Sequence, residues 1–163
     1  ESNQWSKQNI CKQAELNNIS SSRIIFANNL PHLEHLERHK HADLFLDTFN
    51  YNAHTTASDA LWSGTPIITK QGNQFAARVT SSLLSALDLN ELITQTDDEY
   101  EKLIMDYASQ PVKLKEINEK LNRNKNNKPL FNTQKYTRSF ELGLRRVHEL
   151  YLNGDKPKDV IIN

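Results

Sequence analysis

Apolar residues along this chain recur in two rhythms. Between residues 6 and 19, Ile10, Ala14 and Leu16, with Ile19 just beyond, sit at helical spacing among Lys, Gln and Glu, and Asn17-Asn18 closes the stretch as a turn. The short run Arg23 to Ala27 is β-branched and aromatic, and it lies between Ser20-Ser21-Ser22 and Asn28-Asn29. That is the pattern of a buried strand. Pro31 opens a polar, histidine-rich segment to His41 whose only aliphatic residues are Leu33 and Leu36. It predicts a short surface helix with proline in its first turn.

A second strand is expected over 42–48, then a six-residue loop, 49–54. Thr55 or Thr56 can cap a helix over 57–63, and Gly64 supplies its left-handed stop. A third strand follows at 65–69. After Gly72 a helix-like run, 74–87, places Phe75, Val79, Leu83, Leu84 and Leu87 on one stripe. Short strands alternating with helices of about ten residues indicate crossover units, hence an α/β class with a Rossmann-like parallel sheet and flanking helices. From Glu91 onward no strand is expected. Helices over 97–109, 112–124 and 133–153 form a helical C-terminal segment, with a polar loop at 126–129 and Gly154 ending the last helix. Leu61, Trp62 and Phe45 read as core, and Phe131, Tyr136 and Phe140 as the residues that dock the final helix.

Composition narrows the class. At 163 residues and 37% apolar content the chain has the size of a single domain, 1–163, with one core. Twenty Lys+Arg balance twenty Asp+Glu, which removes the electrostatic footprint of a nucleic-acid or membrane-surface binder. The lone Cys11 can form neither an internal disulfide nor a cysteine-based zinc site, and points to a reducing, cytoplasmic setting. No apolar stretch approaches bilayer-spanning length. The chain starts at Glu1 rather than Met and is expected to be a piece of a longer protein.

Two constellations can carry chemistry. The first is the loop and helix start from Tyr51 to Asp59. First-turn N–H groups lack partners and the helix dipole is positive there, so a phosphate is favoured. Thr55 and Thr56 add hydroxyls, His54 can donate to a phosphate or a sugar, and Asp59 can accept from ribose hydroxyls. The same residues equally suit plain helix capping. The second is the cluster His32, His35, His39 and His41. His35 and His39 share a helix face, which suits a metal, a solvated polar surface, or a nucleobase platform in which an imidazole stacks on the base while Arg38 donates to its carbonyls. No Walker or dinucleotide fingerprint and no nucleophile elbow is present.

The string from 42 to 79 resembles the C-terminal catalytic half of the O-linked N-acetylglucosamine transferase family, the tetratricopeptide-repeat glycosyltransferases that include the SPINDLY-type enzymes. The residues that carry the likeness are Ala-Asp-Leu-Phe-Leu-Asp-Thr, then His-Thr-Thr-Ala-Ser-Asp-Ala-Leu-Trp-Ser-Gly-Thr-Pro, then Gly-Asn-Gln-Phe-Ala-Ala-Arg-Val. It extends outward through Arg23 to Phe26 and through Pro129 to Arg138.

The resemblance implies a GT-B architecture, two Rossmann-like halves facing a cleft, with this chain in the nucleotide-sugar-binding half. It implies that the backbone of Leu30 and the side chains of His35 and Arg38 hold uracil, with His35 stacking on it. His54, Thr55 and Thr56 take the diphosphate and the neighbouring sugar, and Asp59 takes the ribose hydroxyls. His32 stands where the animal enzymes have a lysine that touches ribose. The pair His54 and Asp59 is more similar to the UDP-N-acetylglucosamine enzymes than to the SPINDLY branch. The implied donor is a UDP-sugar and the implied acceptor a protein Ser or Thr hydroxyl, with no metal or other cofactor. The partners are an N-terminal Rossmann half and a tetratricopeptide region of the parent chain. The family's first strand and the lysine that stabilises departing UDP are not among these residues, so no catalytic residue is expected here and the piece alone is expected not to catalyse transfer. The alternatives are a relative using UDP-glucose or GDP-fucose, or a non-catalytic nucleotide-binding scaffold.

Overall fold

The computed structural model describes residues 3–162. They form two compact units, one ending at Arg38 and one beginning at His39.

In the first unit α1 spans Gln4–Leu16, capped by Asn3, whose side chain accepts from the Ser6 N–H at 2.8 Å. A 3₁₀ turn at Ser21–Arg23 follows, and the short helix α2 covers His32–Arg38. Pro31 stands just ahead of α2, where its carbonyl accepts from the His35 N–H at 2.9 Å. The strand expected at 23–27 does not form. No strand lies beside it among the described residues, and Ile25 is 88% exposed. An apolar run without a ladder partner has no acceptors for its N–H groups, so its β-propensity has nothing to act on.

The second unit holds a three-stranded parallel sheet in the order β1-β2-β3, with β1 at Phe45–Leu46, β2 at Ile67–Lys70 and β3 at Ile93–Thr94. Phe45 pairs with Ile67, and Thr69 with Ile93. Helix α3, Thr55–Ser63, links β1 to β2, and α4, Val79–Ala86, lies between β2 and β3. The α/β class with a parallel sheet is therefore the observed one. β3 escaped the sequence reading because its ladder is two residues long and lies in a mixed run, Glu91 to Gln95, with no apolar block.

α3 buries Ala57, Ala60 and Leu61, an i, i+3, i+4 set, against Ile67 and Ile68 of β2. Its stop is Gly64 at φ +94, and a methyl group there would lie 3.2 Å from the Asn122 side chain. The stripe expected along 74–87 is interrupted. Phe75–Ala77 is a 3₁₀ turn with Phe75 exposed, and the later positions reach the core, Leu84 and Leu87 inside it and Leu83 packed against it.

Helix α5, Asp97–Ser109, starts in a full capping box: Thr96 Oγ1 accepts from the Glu99 N–H, and the Glu99 carboxylate accepts from the Thr96 N–H. α6, Pro111–Asn127, buries Ile117 and Leu121 and absorbs most of the expected 126–129 loop, which shrinks to Lys128 before Pro129 stops the helix.

α7, Thr133–Leu152, buries none of its residues. Tyr136 and Phe140, expected to dock it, stack on each other in solvent with centroids 6.1 Å apart. Phe131 instead makes an edge contact at 5.2 Å with Trp62, which is half-exposed rather than core.

Tyr100 of α5 reaches across to donate from its hydroxyl to the backbone carbonyl of Asp47 at 2.9 Å. Burial first, and the Asp47 charge second, push its phenol up to about 12. The contribution of this raised pKa to stability is complete below the ordinary tyrosine value of 10 and is lost as pH rises from there through about 12. In an ultraviolet titration we expect a tyrosinate step late on the alkaline side that is missing from Tyr100→Phe. A variant with an identical curve would show that Tyr100 ionises elsewhere.

Candidate functional site

β1 delivers the chain at its carboxyl end into the loop 48–54, and that loop feeds α3. Ligands of open parallel sheets gather at such strand ends. An open cleft of about 500 Å³ lies here, lined by Asp47, Tyr51, Asn52, His54, Thr55 and Thr56 among others.

The threonines were expected as caps, and the structure differs. His54 holds the N-cap position and makes no side-chain capping bond, so Thr55 and Thr56 are the first two helical residues, both exposed. The difference matters chemically. The first N–H groups of α3 have no carbonyl partner within the helix, no capping side chain takes them, and two hydroxyls stand beside them. Asp59 lies one turn further along α3, half-buried.

His54 is held on three sides. Tyr51 lies flat on its imidazole with centroids 4.7 Å apart and planes 13° from parallel, Phe75 meets it edge-on at 6.0 Å, and its Nε2 lies 3.5 Å from the Ala76 carbonyl. A carbonyl can only accept, so this contact favours the tautomer with hydrogen on Nε2.

The loop ahead of His54 is tied at several points. The Asp47 carboxylate accepts from the N–H groups of Thr48 and Ala53 through Oδ1, at 2.9 and 2.7 Å, and from the Thr69 hydroxyl through Oδ2 at 2.7 Å. The Asn52 amide donates to the Thr48 carbonyl at 2.7 Å, while its Oδ1 is buried with no hydrogen-bond partner. Thr80 Oγ1 donates to the Ala53 carbonyl at 2.9 Å. From the sequence Tyr51 and Asn52 fall in the loop constellation with no role of their own, Phe75 reads as part of an apolar stripe, and Asp47 is not singled out. Asp47 read as the end of an apolar strand, and nothing linear links it to Thr69.

The remaining predicted residues lie in the first unit. Leu30 is in the irregular segment leading to α2, His32 begins that helix in an exposed position, and His35 and Arg38 are half-buried on it. Arg38 donates to the Asn28 carbonyl at 2.7 Å and contacts His35 Nδ1 at 2.8 Å. A guanidinium has only donors, so Nδ1 accepts and the imidazole is neutral with hydrogen on Nε2. His39 and His41 fall in a 3₁₀ turn of the second unit, where the His39 carbonyl accepts from Thr65 Oγ1 at 3.0 Å. Among the described residues no three His, Cys, Asp or Glu side chains converge as metal ligands. Gly72 makes room for Ala77, whose methyl would lie 2.6 Å from an added Cβ.

With this geometry in view, comparison with known proteins gives the family of the chain. The model for glycosyl transferase family 41 matches residues 3–140. The chain belongs to that family. It is 32% identical over 157 residues to the UDP-N-acetylglucosamine–peptide N-acetylglucosaminyltransferase of Caenorhabditis elegans, covering 96% of this chain and 14% of that protein. It is 33% identical over 124 residues to a probable SPINDLY transferase of Hordeum vulgare, covering 76% of this chain and 13% of that one. Among solved structures, a mutant of the Thermobaculum terrenum O-GlcNAc transferase superposes with TM-score 0.71 at 29% identity, over 75% of this chain and 24% of that one. The family 41 chain described here thus spans a small part of the length of these relatives.

The stacked Tyr51 ring should shield His54. In Tyr51→Ala we expect the imidazole carbon protons of His54 to move downfield in NMR spectra as the ring current disappears. Unchanged shifts would mean that the two rings are not stacked in solution.

Proposed function

We propose that this chain is the nucleotide-sugar-binding, C-terminal Rossmann-like half of a GT-B protein O-glycosyltransferase. The parent would transfer N-acetylglucosamine from UDP to Ser or Thr hydroxyls of proteins. The observation that carries this is the uncapped start of α3 beside the clamped His54 and the exposed Thr55 and Thr56. A diphosphate there would take the free first-turn N–H groups and the threonine hydroxyls, with the helix dipole favouring its charge. His54, its ring fixed by Tyr51 and Phe75, would use Nδ1, donating to the phosphate as an imidazolium or accepting from a sugar hydroxyl when neutral.

In the same reading His35 and Arg38, with the backbone of Leu30, receive the uracil. Arg38 contacts the imidazole at Nδ1, and an imidazole is a flat aromatic ring of the kind on which a base stacks. Asp59 takes the ribose hydroxyls, and the resemblance assigns His32 to the ribose as well. The names of the relatives support the acceptor and the sugar, and the protein partner, the N-terminal Rossmann half and the tetratricopeptide region belong to the proposed parent. The lone Cys11, half-buried in α1, supports a reducing, cytoplasmic setting.

The names of the Hordeum vulgare and Caenorhabditis elegans relatives both carry UDP-N-acetylglucosamine, which supports that donor over the GDP-fucose alternative. Titrating the chain with UDP and with GDP by calorimetry separates them. We expect UDP to bind in preference to GDP, and Thr55→Ala to weaken UDP about five- to tenfold by removing one hydroxyl donor to a charged group. Preference for GDP would overturn the UDP reading, and binding of neither nucleotide would overturn the donor site.

A further inference from the structure

The residue that makes the His-Thr-Thr turn a fixed object is one that touches none of the predicted ligand groups. Asp47 is 4% exposed, and both of its carboxylate oxygens are engaged. Oδ1 bridges the N–H groups at the two ends of the loop, Thr48 and Ala53, so six residues of chain are closed into a ring by one anion. Oδ2 takes the hydroxyl of Thr69, which is fully buried in β2, so the ring is tied to the central strand of the sheet. The Asp47 N–H donates to the Ile68 carbonyl at 3.1 Å, and its own carbonyl receives the Tyr100 hydroxyl. Every polar group of this residue is therefore committed, to one strand, a helix and the loop.

The distance along the chain is short. Ala53, whose N–H ends on the carboxylate, is followed directly by His54, Thr55 and Thr56. A rotation about the Ala53 backbone would tilt the imidazole out of its Tyr51 stack and swing the first turn of α3. The Thr80 hydroxyl on the Ala53 carbonyl and the Ala76 carbonyl on the Asn52 N–H oppose such a rotation from the other side.

A neutral acceptor would do this less well, because hydrogen bonds to a carboxylate are about twice as strong as neutral ones. A buried carboxylate next to a diphosphate would repel it if its charge were bare. Here three donors converge on that charge, and the N–H groups of α3 are left for the ligand.

We infer that Asp47 is the positioning residue of the donor site: its buried carboxylate, anchored on Thr69, closes the 48–53 loop and fixes His54, Thr55 and Thr56 in the arrangement that receives a diphosphate. This rests on the nucleotide-sugar reading of the cleft.

The test is to titrate the wild-type chain, Asp47→Asn and Asn124→Ala with UDP, and to follow amide hydrogen exchange in each. Asn124 donates from α6 to the Leu87 carbonyl, far along the chain from the loop, and serves as a control for a purely structural loss. Asp47→Asn keeps the shape and removes the charge. We expect its UDP dissociation constant to rise about tenfold and Ala53 amide exchange to accelerate by a similar factor, with the Ile68 amide of β2 unchanged. Asn124→Ala should lower the melting temperature and leave the UDP dissociation constant where it was. Should Asp47→Asn fail to fold, Thr69→Val, which preserves the branched shape in the strand, should still weaken UDP and speed Ala53 exchange. Wild-type UDP affinity in the folded Asp47→Asn, or in Thr69→Val where that variant is the one read, overturns the role of Asp47 alone. Absence of UDP binding by the wild-type chain overturns the nucleotide-sugar reading and the positioning role together.

Discussion

Burial of β2 on both faces is the constraint from which the larger unit is built. Ile67, Ile68 and Thr69 are fully buried, and helices α3, α4 and α5 pack against this one strand. Each of the two isoleucines contributes about 1.5–3 kcal/mol by leaving water, which neighbouring loops with few apolar residues cannot match. The strand therefore behaves as a fixed post. Pairing with it sets where β1 ends, and the end of β1 sets where the loop to α3 begins.

That geometric chain explains how the proposed anion site fits a neutral protein. Among the described residues no Lys or Arg lines the cleft beside α3. In the proposed site the attraction would come from the oriented N–H groups of one helix end, two hydroxyls and an imidazole held by aromatic contacts. Such a site depends on orientation rather than on net charge, since hydrogen bonds from fixed N–H groups weaken steeply once misaligned while a point charge has no direction. Order upstream of the helix then matters to the proposal. A buried carboxylate with three donors ties that loop down at the cost of desolvating one charge.

The two units differ in how much structure their own residues can support. Arg23 to Ala27 carries the composition of a core strand and remains irregular, because strand formation is a pairwise event and composition supplies only one partner. α7 presents a related case. Tyr136, Phe140, Leu144, Val147 and Tyr151 recur at spacings of three and four on a helix that forms readily but buries nothing. Local periodicity is enough to make the helix, whereas burial requires a second surface.

What the linear order determined is therefore local or pairwise in kind. Helix spans from periodicity, the stop at Gly64, the α/β alternation and the prominence of His54-Thr55-Thr56 all follow from interactions among residues within about one turn of each other. The family resemblance added the expectation of a diphosphate at that turn. Only the tertiary structure decided that His54 rather than a threonine takes the N-cap, that Ile93–Thr94 completes the sheet, that Tyr51 and Phe75 frame the imidazole, and that Asp47 meets Thr69 across 22 residues of chain. Contacts of that kind depend on where the sheet brings distant segments together, and a carboxylate at the end of an apolar run has the same sequence signature whether it faces water or holds a binding loop in place.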